Sequence, residues 1–183
     1  LENCSNTGKI YVGSKATAGK TAVIAGLVTD KATIGTVSGC YNTADIEIKD
    51  ATFESWAIIG GLFAGNDNTT TIDTYQNCSN SGNISVASNT VCPSSLHIAG
   101  CGGYSLVINE LMDNVDNTGN ISVGDNIELN GYLAIGGVAR SITNYGEVKN
   151  CNNSGAINVG KCSNIKTGNS GRLYLGGLFY QAL

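Results

Sequence analysis

The sequence predicts an all-β fold, a parallel β-helix of about five coils, and three observations lead there. The phrase Leu1-Glu-Asn-Cys-Ser-Asn-Thr-Gly-Lys-Ile-Tyr-Val12 returns at Val37, Tyr75, Met112 and Val148, at steps of 36, 38, 37 and 36 residues. A near-constant step of that size marks one supersecondary unit stacked on copies of itself. At the end of the phrase, apolar residues alternate with others at the period of a half-buried strand. The same columns also stay apolar from copy to copy. In-register stacking at about 4.8 Å per coil would turn them into continuous internal ladders, about 24 Å long for five coils.

Each coil can be read in order. The Asn-Thr/Ser-Gly piece reads as a turn in which Gly8, Gly82, Gly119 and Gly155 supply a positive φ. Ala44 occupies that column in the second copy. It would bear about 1 kcal/mol of left-handed strain or sit in a turn of another type. The first strand follows, with Ile10 and Val12, Ile46 and Ile48, Ile84 and Val86, Ile121 and Val123, and Ile157 and Val159 pointing inward. After eight or more polar residues comes a second strand that ends in a small-residue bend. Its copies are Ile24-Ala-Gly-Leu27, Ile59-Gly-Gly-Leu62, Ile98-Ala-Gly-Cys101, Ile135-Gly-Gly-Val138 and Leu175-Gly-Gly-Leu178. Glycine there lets two stretches of backbone approach closely. A less regular apolar piece, at 34–37, 72–75, 106–112 and 142–148, leads back to the next phrase. Three short strands per coil of 36–38 residues would make a triangular coil.

Two columns explain most of the unusual composition. Asn6, Asn42, Asn80, Asn117 and Asn153 form an unbroken file. A stacked amide ladder can satisfy turn backbone groups between coils. That role outweighs glycan attachment at the sequons Asn77 and Asn83, which arise from the motif itself. Of seven cysteines, Cys4, Cys40, Cys78 and Cys151 share one column with Val115, as a small buried apolar site would require. In-register neighbours do not converge as a disulfide needs, which leaves Cys92 and Cys101 as the one pair worth testing. A single histidine and scattered thiols offer no zinc spacing.

With 183 residues and 42% apolar content, residues 1–183 make a single repeat domain. Charged residues are only 13% and the net charge is −4, with no run of Lys or Arg, so nothing resembles a nucleic-acid footprint. No apolar run approaches the roughly 20 residues that span a bilayer, and the first residues show no charged-then-apolar signal pattern, which leaves room for a signal or anchor outside this chain. Since residue 1 already lies inside a repeat, the expectation is a fragment of a longer solenoid. Its open ends would favour end-to-end self-association.

The Asn-Cys-Ser-Asn-Ser-Gly-Asn-Ile-Ser-Val and Ile-Gly-Gly-Leu-Phe-Ala-Gly segments resemble bacterial cell-surface repeat proteins bearing the GLUG-type motif. The resemblance touches essentially every copy. It implies a parallel β-helix exported to the cell surface, often an adhesin-like part of a larger extracellular protein. It does not imply an active site, because the matching residues are ladder positions, and no cofactor is expected. Val115, Ala44 and Cys101 depart from the pattern.

Catalysis on a β-helix would need converging carboxylates, or Asp-bound calcium beside a base. Asp45 and Glu47 share one face but find no third acid above or below, and Lys9 beside Asp45 reads as a surface ion pair. Asn66-Asp67-Asn68 and the stretch 113–116 lack calcium-loop spacing. His97, the only histidine, reads first as a strand position, and the Thr69-Thr70-Thr71 run has no counterpart in other copies, as an ice-binding ladder would require. What remains is a surface. Outward positions of the second strand gather Trp56, Ile58, His97, Tyr132, Arg172 and Tyr174 on one face, where flat rings could stack on sugar rings. The alternative is that the polar insert folds over this face and buries the rings. The leading function is thus a non-enzymatic adhesin-like or spacer module for a carbohydrate or host-surface ligand, against a β-helical polysaccharide lyase or glycoside hydrolase.

Overall fold

The computed structural model describes residues 1–13, 16–29, 33–65, 70–161, 164–165 and 172–182. Every helical or strand element among them is a strand. Among the described residues no helix is long and apolar enough to cross a membrane. The strands Ile10–Val12, Ile46–Ile48, Ile84–Val86, Ile121–Val123 and Ile157–Val159 form a five-stranded parallel sheet. Ala22–Ala25, Ala57–Gly60, Leu96–Ala99, Tyr132–Gly136 and Arg172–Gly176 form a second. The molecule is a parallel β-helix of five rungs, with four turns of chain between the first rung and the last.

The register places the predicted columns in file. Cys78 pairs with Val115, and Tyr41 lies opposite both Ser5 and Ser79, which sets Cys4, Cys40 and Cys78 one above another. Ile84 and Val86 are buried, as the alternation requires. A long eleven-stranded sheet carries the chain from the bend back to the next phrase, through Thr70–Asn80 and Gly102–Asn117. A fourth sheet lies in the stretch read as a polar insert. It contains Thr17–Ala18, Thr52–Phe53, Val91–Cys92, Glu128–Leu129 and Asn164–Ile165, each two residues long. Within these short strands Phe53, Cys92 and Leu129 are the buried side chains, and Ala51 and Ile127 join the same core just before them.

The coil is not a simple triangle, because its interior divides into two compartments. One holds Ile46, Ile59, Ile84, Ile98 and Leu129, and the other holds Val37, Leu62, Ile72, Tyr75 and Met112. Between them runs the asparagine ladder. Asn6 Nδ2 donates to Asn42 Oδ1 at 2.8 Å, Asn42 to Asn80 at 2.7 Å, Asn80 to Asn117 at 2.8 Å and Asn117 to Asn153 at 2.8 Å. The Nδ2 atoms of Asn42, Asn80, Asn117 and Asn153 also donate to the carbonyls of Ala44, Gly82, Gly119 and Gly155 two residues on. A fully satisfied amide is what makes a polar column tolerable at zero exposure, as at Asn42, Asn80 and Asn117. The bend glycines press against this ladder from the other side. A Cβ on Gly61 would overlap the Gly100 carbonyl oxygen and the Asn80 amide.

Two turn expectations are corrected. The only described glycine with positive φ is Gly39, so Gly8, Gly82, Gly119 and Gly155 are not left-handed. Space explains the glycine at Gly82, where a Cβ would overlap the Ala44 carbonyl of the coil above. Ala44 is likewise not left-handed, so the strain foreseen for it does not arise. The left-handed corner falls five residues earlier, at Asn3, Gly39, Asn77, Asn114 and Asn150, with φ of 53, 63, 52, 53 and 51°. Asparagine tolerates that region better than other side chains with a Cβ. This corner also gives the cysteine column a polar role. The thiols of Cys4, Cys40, Cys78 and Cys151 each donate to the carbonyl two residues earlier, across the corner, at 3.5, 3.4, 3.1 and 3.3 Å.

Cys92 and Cys101 are free thiols in different compartments, so they do not pair. Burial pushes Cys78 and Cys92 up to about 12 and raises Cys101 as well, which keeps all three as neutral thiols. Cys162, Asn66-Asp67-Asn68 and Thr69 lie outside the described residues.

Candidate functional site

The outward residues of the second strand form one column by register. Ile58 lies opposite Val23 and His97, His97 opposite Ala134, and Ala134 opposite Tyr174. After the bend the chain returns so closely that a Cβ on Gly60 would overlap the Phe63 carbonyl, and one on Gly136 that of Ala139. The outer faces of the two strands flanking the bend therefore close on each other. Ile58, His97 and Ala134 have no exposed surface, while Trp56, Tyr132 and Tyr174 are half-buried and Arg172 is exposed. The cover comes from the returning strand, which brings Tyr104, Arg140 and Tyr180.

Ring contacts link these side chains through successive coils. His97 lies 5.4 Å from Trp56, 5.0 Å from Tyr104 and 5.3 Å from Tyr132, centroid to centroid. Tyr132 meets Tyr174 at 5.9 Å, and Tyr174 meets Tyr180 at 4.4 Å. The Arg140 guanidinium lies 4.8 Å from the Tyr104 ring and 5.2 Å from that of Tyr180, a cation held between two π faces. Arg172 Nη1 donates to Tyr174 Oη at 3.0 Å and holds that phenol below its usual range. Both His97 nitrogens and Arg140 Nε are buried without a hydrogen-bond partner. Desolvation, with a smaller push from Arg140, lowers His97 to about 3, so its imidazole is neutral at physiological pH.

Of the six residues the sequence singled out, the structure brings Trp56, His97, Tyr132 and Tyr174 into one chain of ring contacts. Arg172 sits at its end, His97 is its fully buried member, and Ile58 is buried in the same strand column. Tyr104, Arg140 and Tyr180 were missed. The signal was present, since Arg140 and Tyr180 each stand three residues beyond the second small residue of the bend.

A second surface is an open groove of about 400 Å³ over the Ile-x-Val sheet, lined by Glu47, Lys49, Ser85, Ser88, Ser122 and Gly124 among others. Lys9 pairs there with Glu47 and not with Asp45, and Lys49 reaches Glu47 from the other side at 2.7 Å. Hydrogen bonds from Lys49 and then Lys9 hold the Glu47 carboxyl below its usual range. Asp45 is occupied elsewhere, since its Oδ1 accepts from the backbone and side-chain amides of Asn83 at 2.8 and 3.1 Å. Asp113 and Asp116 likewise accept from Asn150 and Asn152 of the next coil. These arrangements can stack and hydrogen-bond, but they set no pair of carboxylates around a common point. No protein-family model, no curated protein and no solved structure matches this chain.

Proposed function

We propose that this chain is a rigid, non-enzymatic module of an exported bacterial surface protein, adhesin-like, that presents its aromatic face to a glycan or host-surface ligand. One observation carries the reading: half-buried rings from Trp56, Tyr132 and Tyr174 stand on one face of the β-helix, the first two joined by the buried His97 and the third by Tyr132. Flat amphipathic rings on a preorganised surface suit the apolar faces of sugar rings. The extracellular setting, the link to GLUG-type surface proteins and end-to-end self-association belong to the same proposal. The competing lyase or hydrolase reading gains no support from Glu47, whose carboxyl is shifted away from what a proton donor needs.

The test is a glycan array probed with the purified chain, run beside assays on acidic and neutral polysaccharides. Binding without chain shortening is expected, and Trp56→Ala should weaken it by about tenfold or more. Chain shortening or new unsaturated ends would establish the enzyme instead. Binding that Trp56→Ala leaves untouched would remove the aromatic face as the site.

A further inference from the structure

Arg140 is almost fully buried, yet among the described residues it forms no ion pair. The rings of Tyr104 and Tyr180 flank its guanidinium, and its buried Nε has no hydrogen-bond partner. Next to it stands a neutral imidazole with both nitrogens unpartnered, and Tyr180 connects through Tyr174 to a second guanidinium, Arg172. Two arginines and six rings with no acid among them make a locally cationic patch on a chain of net charge −4. Leaving a guanidinium so desolvated without a counter-charge is costly unless an anion completes it.

We infer that the aromatic face takes an anionic glycan, with an acidic sugar's charged group held between Arg140 and Arg172 while the sugar ring lies on Tyr132 and Tyr174. The inference rests on the glycan reading and narrows its ligand class. A guanidinium presents donors in a planar fork that matches a carboxylate and also accepts a sulfate. Trp56, further along the same row of rings, would take a neighbouring sugar. Binding of this kind weakens as salt is added, because the anchoring contact is partly exposed at Arg172.

The experiment titrates the whole chain with three oligosaccharide series: polygalacturonate, its methyl ester, and heparin fragments. The ester keeps the ring and removes the charge. Polygalacturonate is expected to bind about tenfold or more tightly than its ester, the value of a charge-assisted contact. Arg140→Gln should erase that preference. Should Arg140→Gln disturb the fold, Arg172→Gln at an exposed position should still reduce the preference several-fold, in keeping with one of two anchors lost. Heparin binding above polygalacturonate, lost in the same variants, would support the anionic site and assign a sulfate as its ligand. Equal binding of acid and ester would overturn the inference and leave the glycan reading standing. Binding of neutral array glycans alone would do the same, and binding of no carbohydrate at all would overturn both.

Discussion

The single histidine is buried where its charge cannot be hydrated, and that has a measurable consequence. His97 has no exposed surface, both ring nitrogens lack partners, and its folded pKa is lowered to about 3. In the unfolded chain a histidine titrates near 6.5. Below that value the unfolded state binds a proton that the folded state refuses, so stability is full above about pH 6.5 and declines as pH falls toward about 3. The slope approaches about 1.4 kcal/mol per pH unit, which gives a loss of about 2 kcal/mol by pH 5. Urea unfolding at pH 7, 6 and 5 measures it, and His97→Leu should flatten the dependence over that interval because few other groups titrate there. A wild-type profile already flat from pH 7 to 5 would mean that His97 is protonated or solvated in the folded chain. Replacement by leucine should not itself be severe, since it removes two unpartnered buried nitrogens.

At the scale of the strand and the bend, glycine is set by space, and its cost depends on which coil it occupies. Gly61 and Gly177 hold the same place in their bends, but a Cβ on Gly61 would overlap the Gly100 carbonyl and the Asn80 amide, whereas one on Gly177 meets nothing within 4 Å. Gly61→Ala should therefore cost about 3 kcal/mol or more. Gly177→Ala should stay within about 0.5 kcal/mol. Chemical denaturation of the two variants decides it, and equal costs would refute the packed waist between ladder and bend. The sequence disclosed the bend, the asparagine file and the inward Ile and Val pairs because each recurs at a constant step. It did not disclose why Gly82 is a glycine, since turn chemistry and interchain-like stacking of coils leave the same letter. The sheet through Phe53 and Cys92 was hidden because two-residue strands show one inward side chain each, too little for an alternation to register. Trp56 and Tyr132 were legible as one face because they share a strand position. The returning residues Tyr104 and Tyr180 were not, since their contacts with Trp56 and Tyr174 form across the bend and not along a strand.

Across the whole molecule each coil touches only its neighbours, so stability should be graded along the axis and not uniform. Ile121 lies in register between Ile84 and Ile157 and has no exposed surface, whereas Leu175 on the last described rung is 50% exposed. Ile121→Ala should cost about 3–4 kcal/mol through lost burial and a cavity that rigid ladders cannot collapse. Leu175→Ala removes apolar area that is already half in water, and should cost about 1 kcal/mol or less. The same gradient governs local opening. A terminal rung frays by breaking contacts on one side alone, while an interior rung must lose both neighbours or wait for fraying to reach it. Amides of Ile84–Val86, Leu96–Ala99 and Ile121–Val123 are thus expected to exchange last, and those of Ile10–Val12 and Arg172–Gly176 about a hundredfold sooner. Hydrogen exchange read by mass spectrometry over peptides from each coil provides the measurement. Uniform protection from the first rung to the last would show that the asparagine ladder couples all five coils into one cooperative block, and the nearest-neighbour account would then be wrong for this chain.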